Sequence, residues 1–377
     1  MSAKAAKYIW QNSDWSRFTW QSDRLLPLLG KARLTQGQLL ARAKALGTKL
    51  SYEAQAEVLI EEAVKTAAIE GEVLNRDSVR SSVAKHLGLR QAGLPRVERH
   101  VDGLVDVLLE ATQQYDKPLT VKRLRAWQAA LFPTGYSGLH KIRVGRWRGS
   151  QTMHVVSGPV GREKIHFEAP PSDRLDQEIK GFLGWWKESL GTTEGFLRAA
   201  VAHFWFVTIH PFEDGNGRIA RVLTDMALAQ DEKLPVRFYS LSSQIMEERN
   251  AYYDVLEKCQ KSDLDITDWL EWFLACLIRA MERSETIIAR VLAKAEFWQR
   301  HNQTLMNERQ RKAVNRLLDA GEGGFQGGLT TRKYVSLTKA SRATAFREIA
   351  DLVNQRVLNQ KRDGKGRSTS YDLNWKG

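Results

Sequence analysis

The sequence predicts a mainly α-helical protein built from three parts. Apolar residues recur at three- and four-residue spacing in segments such as QGQLLARAKALGTKL and SYEAQAEVLIEEAVKTAAI, which is typical of amphipathic helices. Short β-prone segments broken by glycines interrupt this pattern between residues 135 and 171. A different pattern of helix, turn, helix and two strands follows residue 300. We therefore divide the chain into residues 1–95, 96–300 and 301–377.

Composition limits the classes of protein to consider. The chain has 377 residues, of which 42% are hydrophobic, so two or three domains with well-filled cores are expected. Its net charge of +13 favours acidic partners such as nucleic acid, nucleotides or a membrane surface. Residues 301–377 contain 15 Lys and Arg against 7 Asp and Glu, so they hold +8 of this excess.

Cysteine use and hydropathy favour a cytoplasmic protein. Cys259 and Cys276 lie in helical patterns without CxxC or Cys/His spacing, so we expect neither a disulfide nor a zinc site. The segment MSAKAAKYIWQNSDW lacks the continuous apolar region of a signal peptide. No apolar run approaches the ~20 residues of a membrane span, so we expect no membrane partner.

Residues 1–95 are predicted to be a helical N-terminal region. They open on WQNSDWSRFTWQ, and we expect its three tryptophans to pack on the next helix. Residues 96–300 continue as helices, with Thr120 as an N-cap. Within them IRVGRWRG, MHVVSG and KIHFEAPP are predicted to form a hairpin that projects from the helical body. The pattern ends with a long helix from Ile266 to about Gln299.

Residues 301–377 are predicted to form a C-terminal winged helix. NERQRKAVNRLLDA is a helix, and LTTRKYVSLTKASRATAFREIADLVNQRVL is typical of helix, turn, helix, with Ser341 as the second N-cap. Arg342 and Arg347 on the second helix would enter the major groove of DNA. The alternative is a module for protein contacts. The predicted wing adds the cations Lys361, Arg362, Lys365 and Arg367.

The segment TIHPFEDGNGRIAR, residues 208–221, concentrates groups that suit phosphate chemistry. Gly215, Asn216 and Gly217 precede a predicted helix, and glycine permits conformations in which free N–H groups converge on an anion. Arg218 and Arg221 are three residues apart on that helix, so they share one face. Two arginines beside converging amides suit two phosphates of one chain.

A base and a metal-type acid lie beside these amides. The carboxylate of Asp214 would repel phosphate unless a cation bridges them, and Mg²⁺ commonly does so. His210, with an ordinary pKa of ~6.5, can take a proton from a hydroxyl. The group therefore predicts attack of a hydroxyl on a phosphate of a magnesium nucleotide. His203, by contrast, is predicted to be a hydrogen-bonded core residue.

HPFEDGNGRIAR resembles the Fic motif, HxFx(D/E)GNGRxxR, at every specified position. Fic proteins mostly transfer AMP from ATP to a Ser, Thr or Tyr hydroxyl of a target protein, a reaction called AMPylation. The resemblance implies a Fic helical core that uses ATP and Mg²⁺, with His210 as the catalytic base and Asp214 as the metal ligand. It assigns phosphate binding to the residues from Gly215 to Gly217. Fic cores often self-associate, so a homodimer is a further expectation.

The predicted hairpin resembles the flap of the family, where a target segment docks by strand addition. Tyr252 and Tyr253 match a pair that lines the adenosine pocket in relatives, and Gln260 stands where a relative carries Asn. Ordinary helix packing is the alternative for the tyrosines, and a solvated helix position is the alternative for Gln260. The flap face near the nucleotide is predicted to comprise Val155, Val156, Ser157 and Gly158.

TAAIEG, residues 66–71, resembles the inhibitory motif [S/T]xxxE[G/N] of the family. On composition alone Glu70 would be a solvated helix charge, because acids crowd this region. The resemblance implies instead that Glu70 pairs with Arg221 and occupies the guanidinium that a γ-phosphate needs. In some relatives the same glutamate aligns a water that removes AMP, so inhibition and hydrolysis both stay open.

The prediction is therefore ATP-dependent protein AMPylation restrained by Glu70, on a target that the sequence does not name. Two alternatives stay open: a DNA-binding regulator whose Fic core senses nucleotide, and net deAMPylation. The N-terminal region resembles an uncharacterised domain that often precedes Fic cores, and the tail resembles the winged helix that often follows them.

Overall fold

The computed structural model describes residues 7–89, 95–157, 164–321, 323–361 and 369–375. Four predicted site or wing residues lie outside these ranges: Gly158, Arg362, Lys365 and Arg367. The chain divides into two compact units. The larger unit comprises Met1–Ala45 and Gln55–Ser284, and the smaller unit comprises Leu46–Ala54 and Glu285–Gly377.

Helices dominate the described residues, so the prediction of a mainly α protein is confirmed. None of these helices is both long and apolar enough to cross a membrane. Short 3-10 helices cover Ile9–Gln11 and Ser172–Arg174. The α-helices are Ser22–Ala45 (α1), Gly47–Ile69 (α2), Arg76–His86 (α3), Arg99–Gln113 (α4), Val121–Leu131 (α5), Leu175–Glu188 (α6), Gly195–Ile209 (α7), Asn216–Glu232 (α8), Leu241–Glu247 (α9), Arg249–Gln260 (α10), Thr267–Arg300 (α11), Glu308–Ala320 (α12), Thr331–Thr338 (α13) and Arg342–Asn354 (α14).

Short antiparallel strand pairs complete the described fold. They join Tyr136–Ser137 (β1) to His140–Lys141 (β2), His154–Ser157 (β3) to Lys164–Glu168 (β4), and Leu358–Gln360 (β5) to Tyr371–Leu373 (β6). The predicted hairpin is confirmed in β3 and β4, which we call the flap.

The prediction of a strand in IRVGRWRG is wrong. Its backbone N–H groups bind a side chain of α5 and the loop that follows α7 instead of a strand ladder. The backbone N–H of Gly145 donates to Gln128 Oε1 at 2.6 Å, and that of Arg148 donates to the carbonyl oxygen of Pro211 at 2.9 Å. The guanidinium of Arg148 also turns inward, where Nε donates to the carbonyl oxygen of His210 at 2.8 Å. This segment therefore supports the loop that follows α7.

The core of the larger unit forms around α7, which is buried from Phe196 to Ile209. A helix that is apolar on all sides belongs in the centre of a helical body. The prediction for His203 is confirmed, because its buried ring lies 2.9 Å from both Thr224 Oγ1 and the Tyr252 hydroxyl. Burial lowers the pKa of His203 to about 3, so the ring is neutral.

The tryptophan-rich segment does not pack as predicted. Trp10 Nε1 donates to the carbonyl oxygen of Glu168 in β4 at 2.7 Å. Trp15 Nε1 donates to Glu178 Oε2 in α6 at 2.6 Å, and its ring meets Trp205 edge-on. For Trp10 and Trp15 the expectation of packing on α1 is wrong, because an indole N–H removed from solvent needs an acceptor. The flap and α6 supply those acceptors.

The smaller unit has its own apolar core, which includes Leu317, Leu329, Tyr334 and Leu352. After the end of α11, the elements of this unit follow in the order α12, α13, α14, β5 and β6. Ser341 Oγ accepts the backbone N–H of Thr344 at 3.1 Å, so the predicted N-cap is confirmed. The order of elements matches the predicted winged helix, and the winged-helix assignment itself stays a prediction.

Candidate functional site

Two residues with a left-handed backbone conformation lie at the ends of the loop that joins α7 to α8. His210 ends α7 with φ +50°, and Gly215 precedes α8 with φ +90°. The buried side chain of Asn216 closes the loop, because its Oδ1 accepts the N–H of Phe212 and its Nδ2 donates to the carbonyl oxygen of Phe212, both at 2.9 Å. The amide of Asn216 therefore shapes the loop, which leaves only its backbone N–H for a phosphate.

The space beside Gly215 is closed by an aromatic ring. A Cβ at this position would lie 2.9 Å from Cε2 of Phe132. The guanidinium of Arg218 packs over the same ring, with its Cζ 4.7 Å from the ring centroid. Both the positive φ and the close ring therefore require glycine here.

The ring of His210 is held in the neutral form. Its Nδ1 lies 3.1 Å from the carbonyl oxygen of Val207, which can only accept, so Nδ1 carries the proton and Nε2 keeps the lone pair. Burial lowers the pKa of His210; the Val207 carbonyl raises it, Arg148 lowers it, and Glu70 and Asp214 raise it. The net pKa lies below the ordinary value, so the ring is neutral near pH 7.

Asp214 is fixed by donors on both oxygens. The N–H of Gly215 donates to Oδ1 at 2.5 Å, and the hydroxyl of Ser137 donates to Oδ2. Arg218 Nη2 lies 3.9 Å from Oδ1, and the side chain of Asp214 is 37% exposed. The described residues contain no cluster of three or more His, Cys, Asp or Glu that could hold a metal. The site therefore fits the mode in which one carboxylate and substrate phosphates share Mg²⁺.

Arg221 is the most constrained cation of the site. Its side chain is buried, Nε donates to Thr66 Oγ1 at 2.7 Å, and Nη2 donates to the carbonyl oxygen of Thr66 at 3.0 Å. Nη2 also donates to Glu70 Oε1 at 2.6 Å. Burial acts to lower the pKa of Arg221, and the charge of Glu70 raises it above the ordinary value.

Glu70 lies over the start of α8. A Cβ on Gly217 would be 2.2 Å from Glu70 Oε1, so the carboxylate occupies the space above that glycine. Burial acts to raise the pKa of Glu70, but the charge and hydrogen bond of Arg221 lower it, as do Arg218 and His210. The net pKa is below the ordinary value, so Glu70 is ionised near neutral pH.

Each specified position of TAAIEG has a contact or a conformation that explains it. Thr66 in the last turn of α2 and Glu70, one residue beyond the end of that helix, bind the same guanidinium of Arg221. Gly71 has φ +84°, which favours glycine. Beyond the motif, Glu72 Oε2 accepts Arg218 Nη1 at 3.1 Å. The two arginines of the Fic motif are thus both paired with acids after α2.

Tyr252 and Tyr253, the pair predicted to line an adenosine pocket, both lie on α10, but their surroundings differ. Tyr252 is buried, with its hydroxyl on His203, and helix packing accounts for these contacts. The hydroxyl of Tyr253 donates to the carbonyl oxygen of Ile69 at 3.4 Å. Gln260 is buried, and its Nε2 donates to Thr208 Oγ1 at 3.2 Å, so the solvated alternative is wrong. Nucleotide contacts of these three residues stay a prediction.

The flap pairs its strands with one irregularity. Val155 faces Phe167 and Val156 faces Ile165, with a register shift between the two pairs. Val156 is 48% exposed, and Ser157 pairs with Lys164 along the backbone. The nucleotide-facing role of residues 155–158 stays a prediction.

Sequence reasoning missed several residues that shape the site. Ser137 and Arg148 carried no motif, since their partners Asp214 and His210 lie 77 and 62 residues away. Thr66 was included in the inhibitory motif, but its two bonds to Arg221 were not foreseen.

The loop between α7 and α8 lies within a segment that matches a known protein family. The Fic/DOC family matches residues 118–228, a range that includes the whole loop and the start of α8. The chain carries a Fic/DOC family domain. A second family, described as a domain of unknown function (DUF4172), matches residues 8–89. The TAAIEG segment lies in this second match.

Similar proteins are consistent with that family. A protein adenylyltransferase fic-1 from Caenorhabditis elegans is 35% identical over 33% of this chain and 21% of its own length. A protein adenylyltransferase Fic from Nematostella vectensis is 30% identical over 38% of this chain and 30% of its own length. A uridine 5'-monophosphate transferase from Xanthomonas campestris is 29% identical over 29% of this chain and 21% of its own length. The chain thus spans less than a third of these relatives.

Solved structures show the same fold over longer ranges. A Fic family protein from Desulfovibrio desulfuricans G20 covers 95% of this chain and 98% of its own length, with a TM-score of 0.53 and 18% identity. A Fic domain-containing signaling protein from Bacteroides thetaiotaomicron covers 68% of this chain and 97% of its own, with a TM-score of 0.51 and 19% identity.

Substitution of Gly215 by alanine should disrupt the loop. The Cβ would meet Phe132 at 2.9 Å, and φ +90° is strained for alanine. We expect a lower melting temperature and a free energy of unfolding that is smaller by about 1–3 kcal/mol. Gly181→Ala in α6 is the control, because its Cβ would meet nothing within 4 Å. Equal stability of Gly215→Ala and wild type would contradict this account.

Proposed function

We propose that this protein transfers AMP from ATP to a Ser, Thr or Tyr hydroxyl of a target protein and that Glu70 restrains the transfer. The observation that carries the proposal is the ion pair between Glu70 and the buried Arg221, formed beside the neutral His210. The names of the two adenylyltransferase relatives support AMP as the transferred group. The Fic/DOC domain supports the assignment to His210, Asp214 and Arg221.

The proposed step uses groups of this chain in defined roles. His210 Nε2 takes the proton of the target hydroxyl, whose oxygen attacks the α-phosphorus of ATP. The bond from that phosphorus to the bridging oxygen breaks, and pyrophosphate leaves. Backbone N–H groups at the start of α8, with Arg218 and Arg221, stabilise the negative charge. Asp214 would hold Mg²⁺, which when bound neutralises phosphate charge.

Restraint follows from competition for cations. Glu70 already occupies Nη2 of Arg221, and Glu72 already occupies Nη1 of Arg218. A triphosphate that binds in this state lacks the guanidinium that would fix its outer phosphate. Its α-phosphate is then placed poorly for in-line attack, which slows transfer more than binding.

Self-labelling with α-³²P-ATP and Mg²⁺ tests the proposal. We expect weak label in wild type, strong label in Glu70→Gly, and none in Glu70→Gly/His210→Ala. The Glu70 substitution frees Arg221, and the His210 substitution removes the base. If Glu70→Gly stays unlabelled with ATP, the same variants are tested with α-labelled UTP, GTP and CTP.

Silence of Glu70→Gly across all nucleotides would overturn nucleotidyl transfer to the chain itself. A second assay covers the hydrolytic alternative for Glu70. An AMPylated peptide or protein is incubated with wild type and with Glu70→Gly. Release of AMP by wild type alone would favour net deAMPylation over restraint.

The pH dependence of transfer should report the lowered pKa of His210. In Glu70→Gly we expect kcat/KM for ATP to rise with pH and level off with a midpoint below ~6.5, the ordinary histidine value. Loss of the Glu70 charge removes one influence that raises this pKa, so the midpoint should not move upward. A midpoint at or above pH 7 would contradict the assignment, with Glu70→Gly/His210→Ala as background.

A second candidate function is DNA binding by the smaller unit. The acids of α14 face inward, where Glu348 accepts from Arg309 at 3.0 Å and Asp351 accepts from Gln310 at 2.7 Å. Arg342 and Arg347 are exposed on the same helix. This separation of charge leaves a cationic outer face that suits a phosphate backbone.

Self-association and a cytoplasmic location are also part of the proposed function.

Binding of the full chain to a labelled DNA duplex at several salt concentrations tests this candidate. Arg342→Glu/Arg347→Glu should abolish binding and flatten the dependence of affinity on salt. Lys312→Glu/Arg316→Glu on α12 is the control with the same change of net charge, and it should retain binding. Equal losses in both variants would indicate a general charge effect and reject α14 as the DNA-binding helix.

A further inference from the structure

A second acid of α2 is buried two turns before Glu70. Glu62 is 5% exposed and receives three donors from the segment that leads into α9. Its Oε2 accepts the hydroxyl of Ser240 at 2.8 Å and the backbone N–H of Ser242 at 3.1 Å. Its Oε1 accepts the hydroxyl of Ser242. No role in the proposed transfer uses this contact.

The position of Glu62 on α2 links it to the inhibitory contact. Glu62 and Thr66 are four residues apart on α2, and Glu70 follows four residues later, one residue beyond the end of the helix, so the three form one stripe. The first residue of the stripe binds Ser240 and Ser242, and the other two bind Arg221. These contacts thus fix the C-terminal half of α2 both in its position against α8 and α9 and in its rotation about its own axis.

Other buried polar and charged groups lie near Glu62. Asp225, one turn after Arg221 on α8, pairs with the buried Arg237 at 3.2 Å. Burial and the charge of Glu62 act to raise the pKa of Asp225, and the charge of Arg237 opposes them. Removal of Glu62 would leave the buried N–H of Ser242 without its acceptor, which is costly in an interior.

We propose that Glu62 is a positioning residue that holds α2 in the inhibitory register, so that Thr66 and Glu70 can reach Arg221. This rests on the proposed inhibition by Glu70. Loss of Glu62 loosens α2, Glu70 leaves Arg221, and the transfer rate rises. A residue that served only folding would lower the transfer rate instead.

The test compares Glu62→Gln and Ser242→Ala in two backgrounds, with Glu70 present and with Glu70→Gly. With Glu70 present we expect each to raise self-labelling by α-³²P-ATP by about tenfold, the factor that corresponds to one lost buried hydrogen bond. In Glu70→Gly neither should raise it further, because the restraint is already absent. Glu61→Gln is the matched control, since Glu61 binds Arg76 at 2.7 Å instead.

Hydrogen exchange of the full chain supplies a readout that does not need activity. We expect faster exchange of amides 62–72 in Glu62→Gln and Ser242→Ala than in Glu61→Gln, with other helices unchanged. Equal exchange in all three, or equal labelling with Glu70 present, would overturn the role of Glu62. Unlabelled Glu70→Gly together with faster exchange would overturn nucleotidyl transfer and retain the register role.

Ser242→Ala guards against misfolding, because it removes one hydroxyl donor and keeps the carboxylate and the backbone N–H. A gain of labelling in both backgrounds would show that Glu62 acts on transfer independently of Glu70, which overturns the proposal. Reduced labelling in both backgrounds would assign Glu62 to folding alone, which also overturns it.

Discussion

The buried guanidinium of Arg221 is the constraint on which the candidate site depends. A buried cation without partners costs several kcal/mol, so a fold that places Arg221 at 2% exposure must supply anions or acceptors for it. In this chain α2 supplies them through the carbonyl oxygen and hydroxyl of Thr66 and the carboxylate of Glu70. A nucleotide phosphate could supply the same charge. In the proposed function, inhibition and catalysis therefore compete for one cation, and the N-terminal region contributes charge to the site.

The Fic motif divides its residues between shape and chemistry. Asn216 and Gly215 build the loop, one by two bonds to a backbone unit and the other by a conformation that a side chain would strain. His210 and Asp214 then project from a rigid loop, where donors from other elements fix each of them. Such support places catalytic groups more accurately than a free loop could. The strict spacing of the motif follows, because the residues that build the loop also position the residues with proposed chemical roles.

Local patterns in the sequence predicted the local structure around the candidate site, and contacts between distant segments were not predictable. The glycines indicated a loop before a helix, the spacing of Arg218 and Arg221 indicated one helix face, and the N-cap at Ser341 followed from residue type. The hydroxyl of Ser137 on Asp214 and the indole of Trp10 on β4 carried no such signal. Their partners lie 77 and 158 residues away. Hydrophobic periodicity gives the faces that are buried but not the faces they meet, which is why the tryptophan segment was misplaced.

The proposed inhibitory contact extends along a helix, and there is an energetic reason for this arrangement. To hold a two-state contact closed ninety-nine times in a hundred requires about 2.7 kcal/mol. Hydrogen bonds to charged groups contribute about 1.5–3 kcal/mol each, so Glu70 alone could approach that value only while α2 stays fixed. The 29% exposure of its side chain weakens the pair through solvent screening. A register contact at Glu62, at 5% exposure, is screened far less. The buried end of α2 can therefore set the position that the more exposed end uses to block Arg221.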